Sequence, residues 1–305
     1  VDSSGGTLGD DHSIAVDKSG YIHCCYSIED YFLKYATNAN GTWTTTTVTS
    51  VYTSEEAKAV GDFSIAVDSQ GKVHVSYHDR KYGLMYATNV SGSWGTHTVD
   101  ISDPEEVGSD NSIAVDTKDN VHIGYRESLY LKYATNTSGS WVTETIDSSK
   151  NIAVSGISAA VDASDKVHIS YIDSNNDYLK YVTNTSGFWR IMTVFSVKGY
   201  ETSIAVDESG KPHIIYHTDG DGLHYTYQSK GSWIGGGVAS DAGSVSLALD
   251  SSGKVHISYY DVSNGDLKYV TNVTYSSSTP TPAQTPFVCI ATKISVSASK
   301  VDLKM

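Results

Sequence analysis

Apolar and polar residues alternate along most of the chain in runs of five to seven, set apart by clusters of Asp, Asn, Ser and Gly. Alternation with period two, in segments rich in Val, Ile, Thr and Tyr, predicts short half-buried β-strands joined by tight turns. Around residues 64–99 the pattern predicts four of them: Ser64–Asp68, Val73–His78, Leu84–Thr88 and Ser93–Val99. The stretch Asp68-Ser-Gln-Gly71 between the first two reads as a tight turn with Gly at its left-handed position.

The same four-strand pattern recurs. Ser-Ile-Ala-Val-Asp begins at Ser13, Ser64, Ser112 and Ser203, with variants at Ser158 and Ser246. Each is followed by a turn and a His: His23, His74, His122, His168, His213 and His256, at spacings of 51, 48, 46, 45 and 43. A Tyr follows three residues later, and a Leu-x-Tyr element then ends at Tyr35, Tyr86, Tyr133, Tyr181, Tyr225 and Tyr269. After an Asn/Ser/Gly turn comes Trp43, Trp94, Trp141, Trp189 or Trp233; the sixth repeat has no Trp. Four antiparallel strands at this period predict an all-β fold, a six-bladed β-propeller over residues 1–275. One such sheet cannot bury both faces alone, so the blades must cover one another. The missing Trp strand raises the question of closure. Val1-Asp2-Ser3-Ser4 matches the end of a fourth strand, as in Ile146-Asp147-Ser148-Ser149, and is expected to supply part of the sixth blade's outer strand, the rest coming from upstream or from elsewhere.

Composition narrows the function classes. The chain has 21 basic and 35 acidic residues, a net charge of −14, and its only arginines are Arg80, Arg126 and Arg190. Nucleic-acid binding, which needs a Lys/Arg surface to displace counterions, is not expected. No apolar run approaches 18 residues, so membrane insertion by a helix is not expected either. Three cysteines, Cys24, Cys25 and Cys289, leave at least one thiol without an intrachain partner. Cys24 and Cys25 are adjacent in a strand and point to opposite faces.

The block Ser246-Leu-Ala-Leu-Asp-Ser-Ser-Gly-Lys-Val-His-Ile-Ser-Tyr-Tyr-Asp261 resembles the repeats of uncharacterised secreted bacterial and archaeal β-propellers. It is similar, more distantly, to NHL-type blades, whose Gly-Ile-Ala-Val-Asp strand is innermost. The Asp-x-x-Gly turns resemble sialidase Asp-boxes, but no arginine cluster with a Tyr–Glu pair accompanies them. The resemblance covers about residues 12–275 and implies a fold and a location, extracellular or at the cell surface with its signal peptide removed. It does not imply an activity.

The repeated His, Asp, Trp and Tyr read as structural: six copies spread around a ring cannot share one metal. Function should lie where the repeats differ, in the loops joining second to third strands (such as 173–177 and 217–221) and in the acidic inter-blade connections. Near the axis, Asp11, Asp62, Asp110 and Glu201 could gather around a hard cation through oxygen ligands, so Ca²⁺ is the one cofactor the sequence admits, and none is required. Sequons at Asn40, Asn89, Asn136, Asn184 and Asn272 lie in the turns after the third strands and are candidate glycosylation sites. No Gly-x-Ser-x-Gly elbow, Walker A or His-Glu-x-x-His motif is present, and no enzyme activity is expected.

Residues 276–286 form a Ser/Thr/Pro linker, and 287–305 carry an alternating β pattern with a break near Lys300. This tail resembles the opening of an Ig-like domain. Alternatively it is a donor strand for a neighbouring subunit, with Phe287, Cys289, Ile294, Val296, Val301 and Leu303 as assembly residues. The expected function is therefore a non-catalytic structural subunit of a surface filament, sheath or layer, self-assembled through the tail. A carbohydrate-binding or adhesion module with a glycan ligand is the alternative, and a glycan-active enzyme a third reading.

Overall fold

The computed structural model describes residues 8–28, 32–50, 60–220, 222–274 and 288–292. Six sheets follow one another along the chain, each of four consecutive antiparallel strands. The protein is an all-β six-bladed propeller. In blade 3 the strands are Ser109–Val115, Val121–Glu127, Tyr130–Thr135 and Val142–Asp147.

The Ser-Ile-Ala-Val strand of each blade is the one that touches its counterpart in the next blade, from blade 1 through blade 6, so these strands line the axis. A bond not foreseen from the repeat explains its serine. Ser13, Ser64, Ser112, Ser158 and Ser203 Oγ accept the backbone N–H of Ile65, Ile113, Ala159, Ile204 and Leu247 in the following blade, at 3.0–3.3 Å. First strands in different sheets have no ladder between them, and the serine satisfies an amide that would otherwise be left unpaired.

The apolar core lies between blades rather than within them. Leu131 and Tyr133 on the leading face of blade 3 pack against Val154, Ile157, Ile169 and Tyr171 on the trailing face of blade 4. Equivalent clusters join blades 1 and 2, 2 and 3, 4 and 5, and 5 and 6. The Trp of each later blade meets the Leu-x-Tyr tyrosine of the one before it edge-on: Tyr35–Trp94, Tyr86–Trp141, Tyr133–Trp189 and Tyr181–Trp233, with centroids 4.9–5.2 Å apart.

Two expectations change. The first strand of blade 2 runs Val60–Val67, starting four residues before Ser64, because a bulge between Gly61 and Ser64 lengthens it. The bulge puts Asp62 in left-handed backbone (φ 48°), as it does Asp110 (φ 52°) and Gly156 (φ 60°). An alternating pattern cannot reveal an inserted residue of this kind. The second change concerns blade 6. Its fourth strand is Val288–Thr292, from the tail of the same chain, antiparallel to the third strand with Tyr269 opposite Thr292 and Thr271 opposite Ile290. The tail strand with Cys289 thus supplies a fourth strand to blade 6 within its own chain; the contribution expected of residues 1–4 lies outside the described residues. Residues 1–7 lie outside the described residues, as do Phe287, Ile294, Val296, Val301 and Leu303.

Candidate functional site

The repeated titratable residues form a structural chain in every blade. In blade 2, Asp68 Oδ1 accepts the amides of Gln70 and Lys72, both at 2.8 Å, and so closes the turn. Its Oδ2 meets His74 Nε2 at 3.2 Å, and His74 Nδ1 meets the Tyr86 hydroxyl at 2.6 Å. Tyr86 then packs on Trp141 of blade 3. Burial pushes the pKa of His74, His122, His168 and His213 down, against the pull of each partner aspartate. Four of these turns surround an axial cavity of about 320 Å³ lined by Val67, Asp68, Val115 and Asp116 among others. Both oxygens of Asp68 and Asp116 are occupied by these internal bonds, which leaves the cavity little to offer a polar ligand.

A second buried network joins blades at the opposite end. Lys132 Nζ lies 2.6 Å from Asp100 and 3.2 Å from Glu127, and the Tyr125 hydroxyl donates to Asp100 at 2.7 Å. One blade further on, Lys180 contacts Asp147 at 3.0 Å and Asp173 at 3.1 Å, and Tyr171 donates to Asp147 at 2.6 Å. Burial would raise the Asp100 carboxyl, but hydrogen bonds from Lys132, Tyr125 and Ser102 outweigh it and bring its pKa to about 2.

The axial acids lie on first strands of different blades, and the charges of Asp62, Asp110 and Glu201 reach one another. Among the described residues no three His, Cys, Asp or Glu side chains are placed to hold a metal ion. Asp62, Asp110 and Glu201 sit on separate first strands, and Gly156 occupies the equivalent place between the last two. Asp110 accepts the Gly156 amide at 3.1 Å and lies 3.6 Å from Arg126. Burial pushes the Asp110 and Glu201 carboxyls upward, Asp62 adding to the effect on Asp110 and Asp110 to that on Glu201. The Asp11 side chain lies outside the described residues.

The sequon asparagines have an internal role. Asn89, Asn136 and Asn184 Oδ1 accept the first amide of the second strand, from Val73, Val121 and Val167, at 2.7–2.8 Å. Asn38, which begins no sequon, makes the same bond to Ile22 at 2.7 Å. Asn40 is exposed and stands outside this scheme, and the Asn272 side chain lies outside the described residues.

One cleft differs in kind. At the junction of blades 4 and 5, on the end that carries the inter-blade connections, Val197 donates to the Asp177 carbonyl at 2.7 Å. Asp219 N donates to the Lys198 carbonyl, also at 2.7 Å, so turns from both blades clamp one connection. Lys198 Nζ reaches Asp219 Oδ2 at 2.8 Å. The Tyr200 hydroxyl donates to the same carboxylate, which is thereby held below its ordinary range, Lys198 being the larger influence. The Tyr200 ring lies against His217, centroids 5.9 Å apart, yet remains 51% exposed. Tyr178 is exposed in the neighbouring turn of blade 4, directly opposite Asp173 in the ladder. Tyr82 and Tyr130 are exposed at the corresponding turns of blades 2 and 3. An oriented, half-bare aromatic ring beside fixed carboxylates, a lysine and a histidine offers one apolar face plus several donors and acceptors.

The sequence reading singled out the loops 173–177 and 217–221, which contribute Asp177's neighbours, His217 and Asp219, but missed Lys198 and Tyr200. A signal was present. Tyr200 holds the repeat position occupied elsewhere by Gly61, Ser109, Ser155 and Gly243.

No family model matches the chain, and no curated protein matches it. Solved structures do. A fungal lectin from Aleuria aurantia, described as a six-bladed β-propeller with a novel fucose recognition mode, is 11% identical over 95% of this chain and 96% of its own, with a TM-score of 0.61. AofleA from Arthrobotrys oligospora is 13% identical over 87% and 83%, with a TM-score of 0.58. A protein of unknown function from Dyadobacter fermentans is 11% identical over 87% and 93%, with a TM-score of 0.60. At these identities the likeness is one of fold.

Proposed function

We propose that the protein is a non-enzymatic, carbohydrate-binding β-propeller, and that the cleft between blades 4 and 5 is a sugar site. The observation that carries this reading is Tyr200, exposed yet held by Asp219 and backed by His217. A tyrosine that is fixed in advance loses little entropy on meeting a ligand. The C–H face of a pyranose stacks on such a ring, and its hydroxyls donate to Asp219 and Asp177 while accepting from Lys198. Aleuria aurantia lectin, of the same fold, is described in complex with α-methyl-L-fucoside, which supports a sugar ligand in general terms.

Charge narrows the class. The chain carries −14 overall, and carboxylates outnumber cations in the cleft, so neutral hexoses or deoxyhexoses fit better than sialylated or uronic glycans. The setting is extracellular, where such glycans are displayed. Among the described residues no helix is long and apolar enough to cross a membrane. The test is a glycan array followed by calorimetry with the best neutral binder. Tyr200→Ala should weaken binding at least tenfold with the fold intact, and Asp219→Asn by less. Retention of full affinity in Tyr200→Ala would remove the cleft as the site, and an array with no binder would remove the function.

A further inference from the structure

Four consecutive blades carry a sequon in the turn between their third and fourth strands, at Asn40, Asn89, Asn136 and Asn184. In blades 2, 3 and 4 the Asn amide has two unlike ends. Its Oδ1 accepts the first amide of the second strand, whereas its Nδ2 makes no hydrogen bond among the described residues and is not buried. Ser91, Ser138 and Ser186, two residues on, are exposed, and each donates to a carbonyl of its own turn at 3.1–3.2 Å. The bond to the strand accounts for the Asn but not for the hydroxyl residue after it. Blade 1 separates the two roles. Asn38 caps the second strand there with Asn40 in place of the serine, and a sequon is rebuilt two residues on as Asn40-Gly41-Thr42. Asn40 is exposed and makes no hydrogen bond among the described residues, so capping does not account for it. The turns also hold apolar side chains in water. Phe188 is 81% exposed, the most of any large apolar side chain among the described residues, and Val90 is 50% exposed.

We propose that Asn40, Asn89, Asn136 and Asn184 are N-glycosylated, and that blades 1–4 present a row of glycans on one end of the propeller. The chemistry uses the free end of each amide. Nδ2 attacks the anomeric carbon of a glycosyl phosphate donor held by a host transferase. The N–C bond forms, the anomeric C–O bond breaks with its electron pair leaving on the phosphate, and the proton released from Nδ2 goes to that phosphate. Nothing is oxidised or reduced. Oδ1 takes no part, so a modified Asn still caps its strand, and fold and modification do not compete for one atom. A sugar on Asn184 shares its turn with Phe188, and its C–H face covers apolar surface that the fold leaves in water. Bonding to the first residue of the second strand places these turns at the end of each blade that carries the first turns. The inter-blade connections lie one strand length away, about 20 Å, so the glycans stand clear of the cleft between blades 4 and 5. The inference rests on the extracellular setting of the proposed function and not on the cleft.

The experiment is glycopeptide mass spectrometry on the full chain produced in its native host. It compares the wild type with Ser91→Ala, Ser138→Ala and Ser186→Ala, each of which removes a sequon and keeps the Asn that caps the strand. All four asparagines should carry sugar in the wild type. Each serine variant should lose the glycan at its own site alone and keep a native circular dichroism spectrum. Peptides with all four asparagines unmodified would overturn the proposal, and so would a serine variant that retains its glycan. An unmodified chain that binds a neutral sugar on the array would remove this inference and leave the cleft standing. A glycosylated chain with no binder on the array would support this inference and remove the cleft.

Discussion

Between blades 3 and 4, Leu131, Tyr133, Ile157 and Tyr171 are buried against one another, Trp189 meets Tyr133 edge-on, and Lys180 is held between Asp147 and Asp173. Between blades 6 and 1 the same residue types occupy the same repeat positions, but Leu267, Ile14 and Trp43 face solvent. Even the structural chain loosens. The His168 side chain is 1% exposed and that of His256 is 32%. The aligned first- and third-strand positions carry the same residue types in both regions, so their exposure follows from what faces them. A repeat of this type encodes half of each interface, and its stability depends on which half it meets.

The largest effect should come from breaking the buried ionic network. Lys180→Met leaves Asp147 and Asp173 without their cation and should cost about 3–5 kcal/mol in urea denaturation. Lys268→Met, at the more exposed pair with Asp261, should cost under about 1 kcal/mol. Similar losses at both positions would show that the seam is as well packed as the interior. Next come the leading-face leucines. Leu131→Ala should cost about 2–5 kcal/mol, and Leu267→Ala within about 0.5 kcal/mol.

A third change sharpens the link to the cleft. A Cβ on Gly156 would lie 2.5 Å from the Tyr200 carbonyl and 2.8 Å from Glu201 Cα, in backbone at φ +60°. Gly156→Ala should destabilise by about 1–3 kcal/mol and weaken sugar binding by displacing Tyr200. Undisturbed binding in a folded variant would separate the two. The gentlest change is pH. The folded-state pKa of His74, His122, His168 and His213 is depressed, so the unfolded chain binds more protons than the folded one below about 6.5. Stability should be full above that value and decline as pH falls through the mildly acidic range. A denaturation midpoint flat from pH 8 to pH 5 would contradict the depressed values.

The repeated Asn-x-Ser turn carries a structural bond beside its sequon. Asn89, Asn136 and Asn184 are copied because their carbonyls cap the second strand, as Asn38 does without a sequon. The acids near the axis align in sequence, and the bulges at Asp62 and Asp110 and the pairing of Asp110 with Arg126 are what the alignment does not reveal.

The sequence alone determined the blade count, the four-strand unit, the innermost position of Ser-Ile-Ala-Val and the structural nature of the histidines. All of these follow from alternation and period, which are local and repeat six times. Only the tertiary structure decided the rest. Val288–Thr292 completes blade 6, because strand pairing joins residues that no period relates. Ser Oγ bonds the next blade's amide, because that contact lies 44–52 residues away in the chain. Tyr200 and Lys198 meet at the Asp219 carboxylate because two turns clamp the same connection from opposite sides. Local pattern sets which face of a strand is apolar, but what covers that face depends on a neighbour the pattern does not name.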